Sequence, residues 1–363
     1  MFARRARRWA TPSPLSLRTR ILSRMNALDT AQAIQPLLDT VKAIGWPFQI
    51  LVAIAAMVLL ILAVAPDLAR WRRPALFAMT GLLLVGEGVL VWMHWRLYQL
   101  AVVVDPATSH VTGHIAVSMW VEGEKLYMWA LMVAILGSLM QRQRNDLLAG
   151  VLVAVALLSA GGALLGTPFT NPLPDFLSQY AAYLQGMMAG GQAADGAFQG
   201  MEATRQFYYN AWFMWIHPPL LFFSYGAFTV SFVATLQMIR TRYSAFETTA
   251  YRWARLGYLP LTIGMLLGFP WALSAWTGEA WWWSGKVNMS IMMWLLYTAY
   301  LHARLYLRRR GMWKAVAALA VLSFLILVLT YITTYVVPGA HSYALAPAVR
   351  QLAMALTCRG GGA

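Results

Sequence analysis

The sequence predicts an all-α fold, a polytopic membrane bundle of about eight transmembrane helices. Three observations carry that expectation. Hydrophobic residues make up 60% of the chain and charged residues only 11%, where a soluble domain carries about a quarter charged. Apolar runs of about 20 residues, long enough to cross a bilayer core, recur along it. Arginine clusters separate alternate pairs of these runs, as cytoplasmic loops do.

The spans fall at residues 48–66, 75–98, 121–140, 147–166, 209–239, 253–273, 288–307 and 314–337. The clusters Arg70/Arg72/Arg73, Arg142/Arg144, Arg240/Arg242 and Arg308/Arg309/Arg310 mark the inner side. Both termini then lie outside, with segments 99–120, 167–208 and 274–287 and the tail from 338. The formal net charge of +15 is thereby assigned to topology in a lipid bilayer and gives no reason to expect nucleic acid. The single cysteine, Cys358, excludes an internal disulfide and a cysteine-based metal cluster.

The chain divides into a basic tail with an amphipathic surface helix (1–46), a transmembrane core (47–345) and a C-terminal tail (346–363). Seven arginines and no acid occupy the first 25 residues. That is at odds with an outer N-terminus and reads as a start at Met25 or a removable targeting segment. Residues 27–46 are amphipathic and too polar to span. Segment 167–208, Pro-rich and then Gly/Ala-rich, is the longest link between spans and predicts a turn, a short surface helix and a loose stretch.

The outer loop at 271–287 carries the most chemistry. Trp271, Trp276, Trp281, Trp282 and Trp283 fall within thirteen residues, at a short polar break between two apolar runs. An aromatic belt accounts for two or three of them; five together predict a flat platform for a planar ligand. His217, at the outer start of the fifth span, and His341, just beyond the eighth, flank the same face. Two neutral imidazoles beside an aromatic platform can supply both axial ligands of a haem iron. Taken alone, an interfacial histidine is more often an anchor; the convergence of three features reverses that weighting.

His302 lies about 21 Å below the outer face at 1.5 Å per residue, a depth at which an ionisable side chain is a functional candidate, here for a second haem. His94 lies near the outer face, about 20 Å away in depth, so the two do not share an iron. His110 and His114 have a metal-pair spacing but read as solvated loop residues. Glu87, mid-span between two glycines, reads as a proton or ligand site or as a mark of close helix packing. Glu122, Glu124 and Lys125 read as a self-satisfied interfacial cluster. Phosphate-binding glycine loops, nucleophile elbows and HExxH motifs are absent from the sequence, which argues against an ATP-driven pump or a protease.

These residues resemble a known family, the haem-handling cytochrome c assembly proteins of the CcmF and CcsA type. Their external loop runs WGxxWxWDPKE and leads into a span ending YLHxR. Lys286 matches the family lysine, and Trp294, Tyr300, Leu301, His302 and Arg304 follow at the family spacing. Trp271-Ala272 and Ala275-Trp276 resemble its WAxxAW, and IHPPLLFFSYGAF around His217 resembles HPPxLxxGYxGF. GAHSYA around His341, LGTPFTNPLP and VEGEKLYMW are similar to further family segments, so the likeness covers residues 75–345.

The resemblance implies haem b as cofactor and substrate, held by His217 and His341 under the tryptophan loop, with His302 in a haem site within the membrane. It also implies presentation of that haem to a CxxCH apocytochrome c for thioether formation, as the haem-lyase component, beside other assembly subunits in a bacterial inner membrane. The family's Asp-Pro and Glu around the lysine that Lys286 matches are replaced here by Ser284, Gly285 and Val287, and one extra residue separates Trp276 from Trp281. The departures leave two alternatives: a non-ligating haem transporter or haem-sensing membrane regulator, and a non-haem transporter or scaffold.

Overall fold

The computed structural model describes residues 14–140, 145–275, 282, 284–307 and 311–336. Among the described residues the chain forms ten α-helices and one two-stranded hairpin. Helices α1 (Pro14–Val64), α2 (Arg72–Leu100), α3 (Glu124–Leu139) and α4 (Asn145–Gly161) pack together. Between α2 and α3, strands β1 (Val102–Val104) and β2 (Val111–His114) pair antiparallel. After α4 come α5 (Pro174–Ala189) and α6 (Gln192–Thr204), and then α7 (Phe213–Thr241), α8 (Ser244–Ala275), α9 (Gly285–Leu307) and α10 (Trp313–Val336). Helix α7 packs along α8, and α9 along α10.

All eight expected spans are helical, and six of the helical stretches are long and apolar enough to cross a bilayer. Helix α3, with 16 residues, is about 24 Å long, short of a full hydrocarbon core. Residues 27–46 are helical too, but they run into the first span without a break, within α1. Leucine, isoleucine and valine side chains point outward from α1, α2, α8 and α10, among them Ile54, Leu84, Leu259 and Leu325. So much exposed apolar surface is stable only against lipid or another protein.

Arginines close one end of the bundle. Arg72 is buried and donates to the carbonyls of Leu62, Ala63 and Asn145 at 2.8, 3.0 and 3.1 Å. It thus satisfies acceptors that the last turn of α1 leaves open. Arg304 forms a two-pronged pair with Glu247 at 2.6 and 3.2 Å and lies 3.8 Å over the Tyr251 ring, tying α9 to α8.

The opposite end carries a cap built from the hairpin, α5, α6 and a π-turn (Arg205–Tyr209). The Tyr180 and Tyr183 hydroxyls hold β1 through the backbone N–H groups of Val102 and Val104, and Asn210 bonds the backbone of His114 and Ala116. The hairpin is an addition to the helical expectation, and it places His114 in β2, bonded to the Tyr98 carbonyl at 2.9 Å.

Candidate functional site

The site is built where α3 and α9 begin and α8 ends, beside the first turns of α7. Gly123, just before α3, crosses Gly166 in the π-turn after α4 so closely that a Cβ on Gly123 would stand 2.0 Å from the Gly166 carbonyl oxygen. That crossing fixes the start of α3 and sends its neighbours in three directions. Glu122, in the left-handed region at φ 44°, accepts the Asp175 and Phe176 N–H groups at 3.0 Å each and caps α5. Glu124 turns to His94. Lys125 enters the wall of a cavity. Glu122, Glu124 and Lys125, expected as one interfacial cluster, also reach α5, His94 and the cavity respectively.

The cavity has a volume of about 120 Å³. His217, Trp271, Met265, Tyr225, Lys125 and Lys286 line it, with Leu261, Phe269 and other apolar side chains between them. His217 donates from Nδ1 to the Gly264 carbonyl at 2.6 Å, so its ring is fixed with the Nε2 lone pair available. Metal-binding histidines are commonly oriented by such a bond. Gly268 makes the packing possible, since a Cβ there would lie 2.8 Å from His217 Cε1.

Trp271 is 5% exposed. Its indole N–H donates to the Phe207 carbonyl at 3.1 Å, and its ring is tilted 31° from that of His217 with centroids 6.4 Å apart. It forms a fixed wall, held by the cap's π-turn. Trp282 is 50% exposed. Trp276, Trp281, Trp283 and His341 lie outside the described residues. Of the predicted site residues, the described structure therefore joins His217 and Trp271.

His302 stands apart. It is exposed on α9, with Nδ1 donating to the Thr298 carbonyl at 2.8 Å, and it does not line the cavity. Among the described residues nothing encloses its ring. His94 is also spoken for: Nδ1 is 2.9 Å from the Val117 carbonyl and Nε2 is 2.7 Å from Glu124. Glu87, one helical face along from His94, has both carboxyl oxygens buried without a hydrogen-bond partner. Gly86 beside it packs against Phe48 and Tyr127.

Lys125 also lines the cavity, a place that the sequence reading did not give it. Its signal was a lone cation one residue inside an apolar helix, discounted because acids stand nearby in sequence. Among the described residues no three His, Cys, Asp or Glu side chains converge on a metal site. An iron carried in a macrocycle needs only axial ligands, and His217 can be one.

Known proteins resemble the chain over the same elements. The family model for the cytochrome c assembly protein matches residues 120–341, from the cavity wall at Trp120 to His341. A 135-residue stretch, 36% of the chain, is 33% identical to the probable cytochrome c-type biogenesis protein NrfE of Escherichia coli strain K12, of which it covers 24%. The cytochrome c biogenesis protein CcsA of Prochlorococcus marinus is 36% identical over 104 residues, 28% of this chain and 32% of that protein. CcmF of Pseudomonas aeruginosa, a cytochrome c-type biogenesis protein, is 27% identical over 291 residues, 76% of this chain and 41% of that protein. The chain thus matches between about a quarter and two fifths of the length of these relatives. With the family model covering more than half of it, the chain belongs to the cytochrome c assembly protein family.

Proposed function

We propose that this protein holds haem b in the cavity at the capped end of the bundle and presents it for covalent attachment to a CxxCH apocytochrome c. The observation that carries the reading is His217, with Nδ1 fixed on the Gly264 carbonyl and Nε2 available beside a mainly apolar cavity that Trp271 also lines. Haem would supply the vinyl groups, across which the two cysteine S–H bonds add to form thioethers without an external oxidant. The protein's own work is to bind and orient. His217 and His341 would hold the iron, and Trp271 with Trp276, Trp281, Trp282 and Trp283 would flank the ring. The cap faces outward, consistent with Arg70, Arg72, Arg73, Arg240 and Arg242 at the other end, and the membrane is a bacterial inner membrane. His302 serves a second haem completed by a partner assembly subunit.

The test is the absorption spectrum of the detergent-purified protein, wild type against His217→Ala, together with maturation of a co-expressed c-type cytochrome. A Soret band that falls in His217→Ala, with loss of maturation, supports the reading. A wild type without a Soret band overturns it, as does normal maturation in both the His217→Ala and His341→Ala proteins. The replacement of the family's two loop acids by Ser284 and Val287 favours a second reading, a haem transporter or sensor. That reading keeps the Soret band and the His217 dependence but loses maturation in the wild type.

A further inference from the structure

The cavity wall contains a hydrogen-bond donor that nothing in the protein meets. Trp120, in the turn before α3, lines the cavity with His217 and Trp271. Its indole Nε1–H is buried and has no acceptor among the described residues. A buried indole N–H ordinarily finds a partner. Trp271 has the Phe207 carbonyl, Trp129 the Thr229 hydroxyl and Trp294 the Thr262 hydroxyl. Trp120 departs from that pattern at the one place where a ligand could supply what is missing.

The backbone shows that the placement is enforced. Trp120 stands at φ 75°, in the left-handed region that a bulky side chain rarely adopts. The Glu124 carboxylate accepts its backbone N–H at 3.1 Å and holds it there. Residues in such conformations persist where the surrounding structure fixes them, and they cluster at ligand sites. A second group in the wall shares the lack. Tyr225 of α7 is 7% exposed and packs its ring against Trp129 and Phe222. Its hydroxyl makes no hydrogen bond among the described residues. Both groups can donate, and an acceptor oxygen brought into the cavity would complete either. The cavity's 120 Å³ is several times the roughly 10–15 Å³ that one water needs.

We propose that the Trp120 indole N–H is a ligand donor, which takes a carboxylate oxygen of the bound macrocycle and so selects the edge of the ring that meets the start of α3. The inference rests on the haem reading above, under which the ligand's acceptor oxygens are the two carboxylates at one edge of the ring. It makes Trp120, which lies outside the tryptophan loop, a specificity-determining residue. Iron ligation stays with His217, so losing the N–H removes a preference between macrocycles and leaves the axial bond in place.

The test titrates the full chain, stripped of haem, with iron protoporphyrin IX and with iron octaethylporphyrin, which carries no oxygen acceptor. It compares wild type with Trp120→Phe and with a protein carrying 3-benzothienylalanine at position 120. That residue keeps the shape of tryptophan and lacks the N–H. Both replacements should weaken protoporphyrin binding by about tenfold, as expected for a hydrogen bond to a charged group. The benzothienyl protein should bind octaethylporphyrin as wild type does, with an unchanged Soret maximum. A benzothienyl protein that binds protoporphyrin as tightly as wild type overturns the proposal, since the N–H then serves water alone, and leaves the haem reading standing. Equal weakening of both macrocycles in that protein also overturns it, because the role is then one of packing. Failure of the wild type to bind either macrocycle overturns the haem reading itself. Repeating the titration in nanodiscs with and without phosphatidylglycerol covers the other source of acceptor oxygens. If removing the N–H lowers phosphatidylglycerol binding and leaves protoporphyrin binding intact, the donor serves lipid phosphate and the proposal fails.

Discussion

His94 and His217 stand at the same end of the bundle, and the difference between them lies in what each ring nitrogen meets. Both nitrogens of His94 face acceptors, the Val117 carbonyl and the Glu124 carboxylate, and the residue is 6% exposed. These two contacts occupy both ring nitrogens, and nothing is left for a ligand. His217 has one nitrogen tied to the Gly264 carbonyl and the other available beside an open cavity. Depth in the membrane does not separate a structural histidine from a ligand. The remaining lone pair and the space in front of it do.

The sharpest way to break that distinction is to remove His94. His94→Ala leaves the Glu124 carboxyl, which is 2% exposed, with the Trp120 backbone N–H at 3.1 Å but without its ring partner, and losing one partner of a buried pair costs about 3–5 kcal/mol. Unfolding by heat or denaturant in detergent should register that loss, while haem bound per folded molecule stays at the wild-type level. His217→Ala should give the opposite result, a stable protein without the cavity's Soret contribution. If His94→Ala removed haem without loss of stability, the two roles would have to be exchanged.

A smaller effect is expected at Gly268. A Cβ there would lie 2.8 Å from His217 Cε1 and 3.0 Å from Nδ1. Gly268→Ala must therefore push the ring and strain its bond to Gly264. Overpacking of this kind costs about 1–3 kcal/mol, and the misaimed Nε2 should weaken haem binding by about tenfold in the same titration. An unchanged affinity would mean that the ring is not held by this packing.

The two regions were unequally legible in the sequence. Apolar length and arginine clusters located all eight helices because a bilayer imposes one length on every span. They did not reveal the hairpin, whose Val102–Val104 run is too short to carry a period. His217 and Trp271 were legible as a pair, since both stand at the same end of neighbouring spans. His302 was legible in depth only: which side of α9 it occupies depends on the packing of α9 against α10 and α8, and its exposed ring was not foreseen. Lys125's place in the cavity wall was not legible, because it depends on how the start of α3 packs against α7, α8 and α9.

The tryptophan wall can be sharpened next. Trp271 is fixed by its N–H bond to Phe207 as well as by its bulk. Trp271→Phe keeps a ring and deletes that bond, which is worth about 1 kcal/mol. Fluorescence or hydrogen exchange should show the turn at 205–209 loosening with little change in haem affinity. A large loss of affinity would show that the indole itself, and not only an aromatic wall, is needed.

The smallest effect should appear with pH, in the cap that supports Trp271. Glu202 accepts from Arg205 at 2.8 and 2.5 Å, from Gln206 at 2.7 Å and from Thr112 at 3.2 Å. These bonds, Arg205 first, hold its carboxyl below the ordinary value of 4.5. A depressed folded value stabilises the cap fully above about pH 4.5, and that support is lost as pH falls through the folded value. Solvent screening keeps it to about 0.5 kcal/mol, as for exposed ion pairs. Hydrogen exchange across 192–209 should accelerate in the wild type between neutral pH and pH 3.5, after correction for intrinsic rates, and Glu202→Gln should already exchange faster at neutral pH and respond less to acid. The buried His94–Glu124 pair, by contrast, should not follow Glu202→Gln at all, because no hydrogen bond among the described residues joins it to Glu202. Identical acid responses in the two proteins would place the weak point of the cap elsewhere than at Glu202.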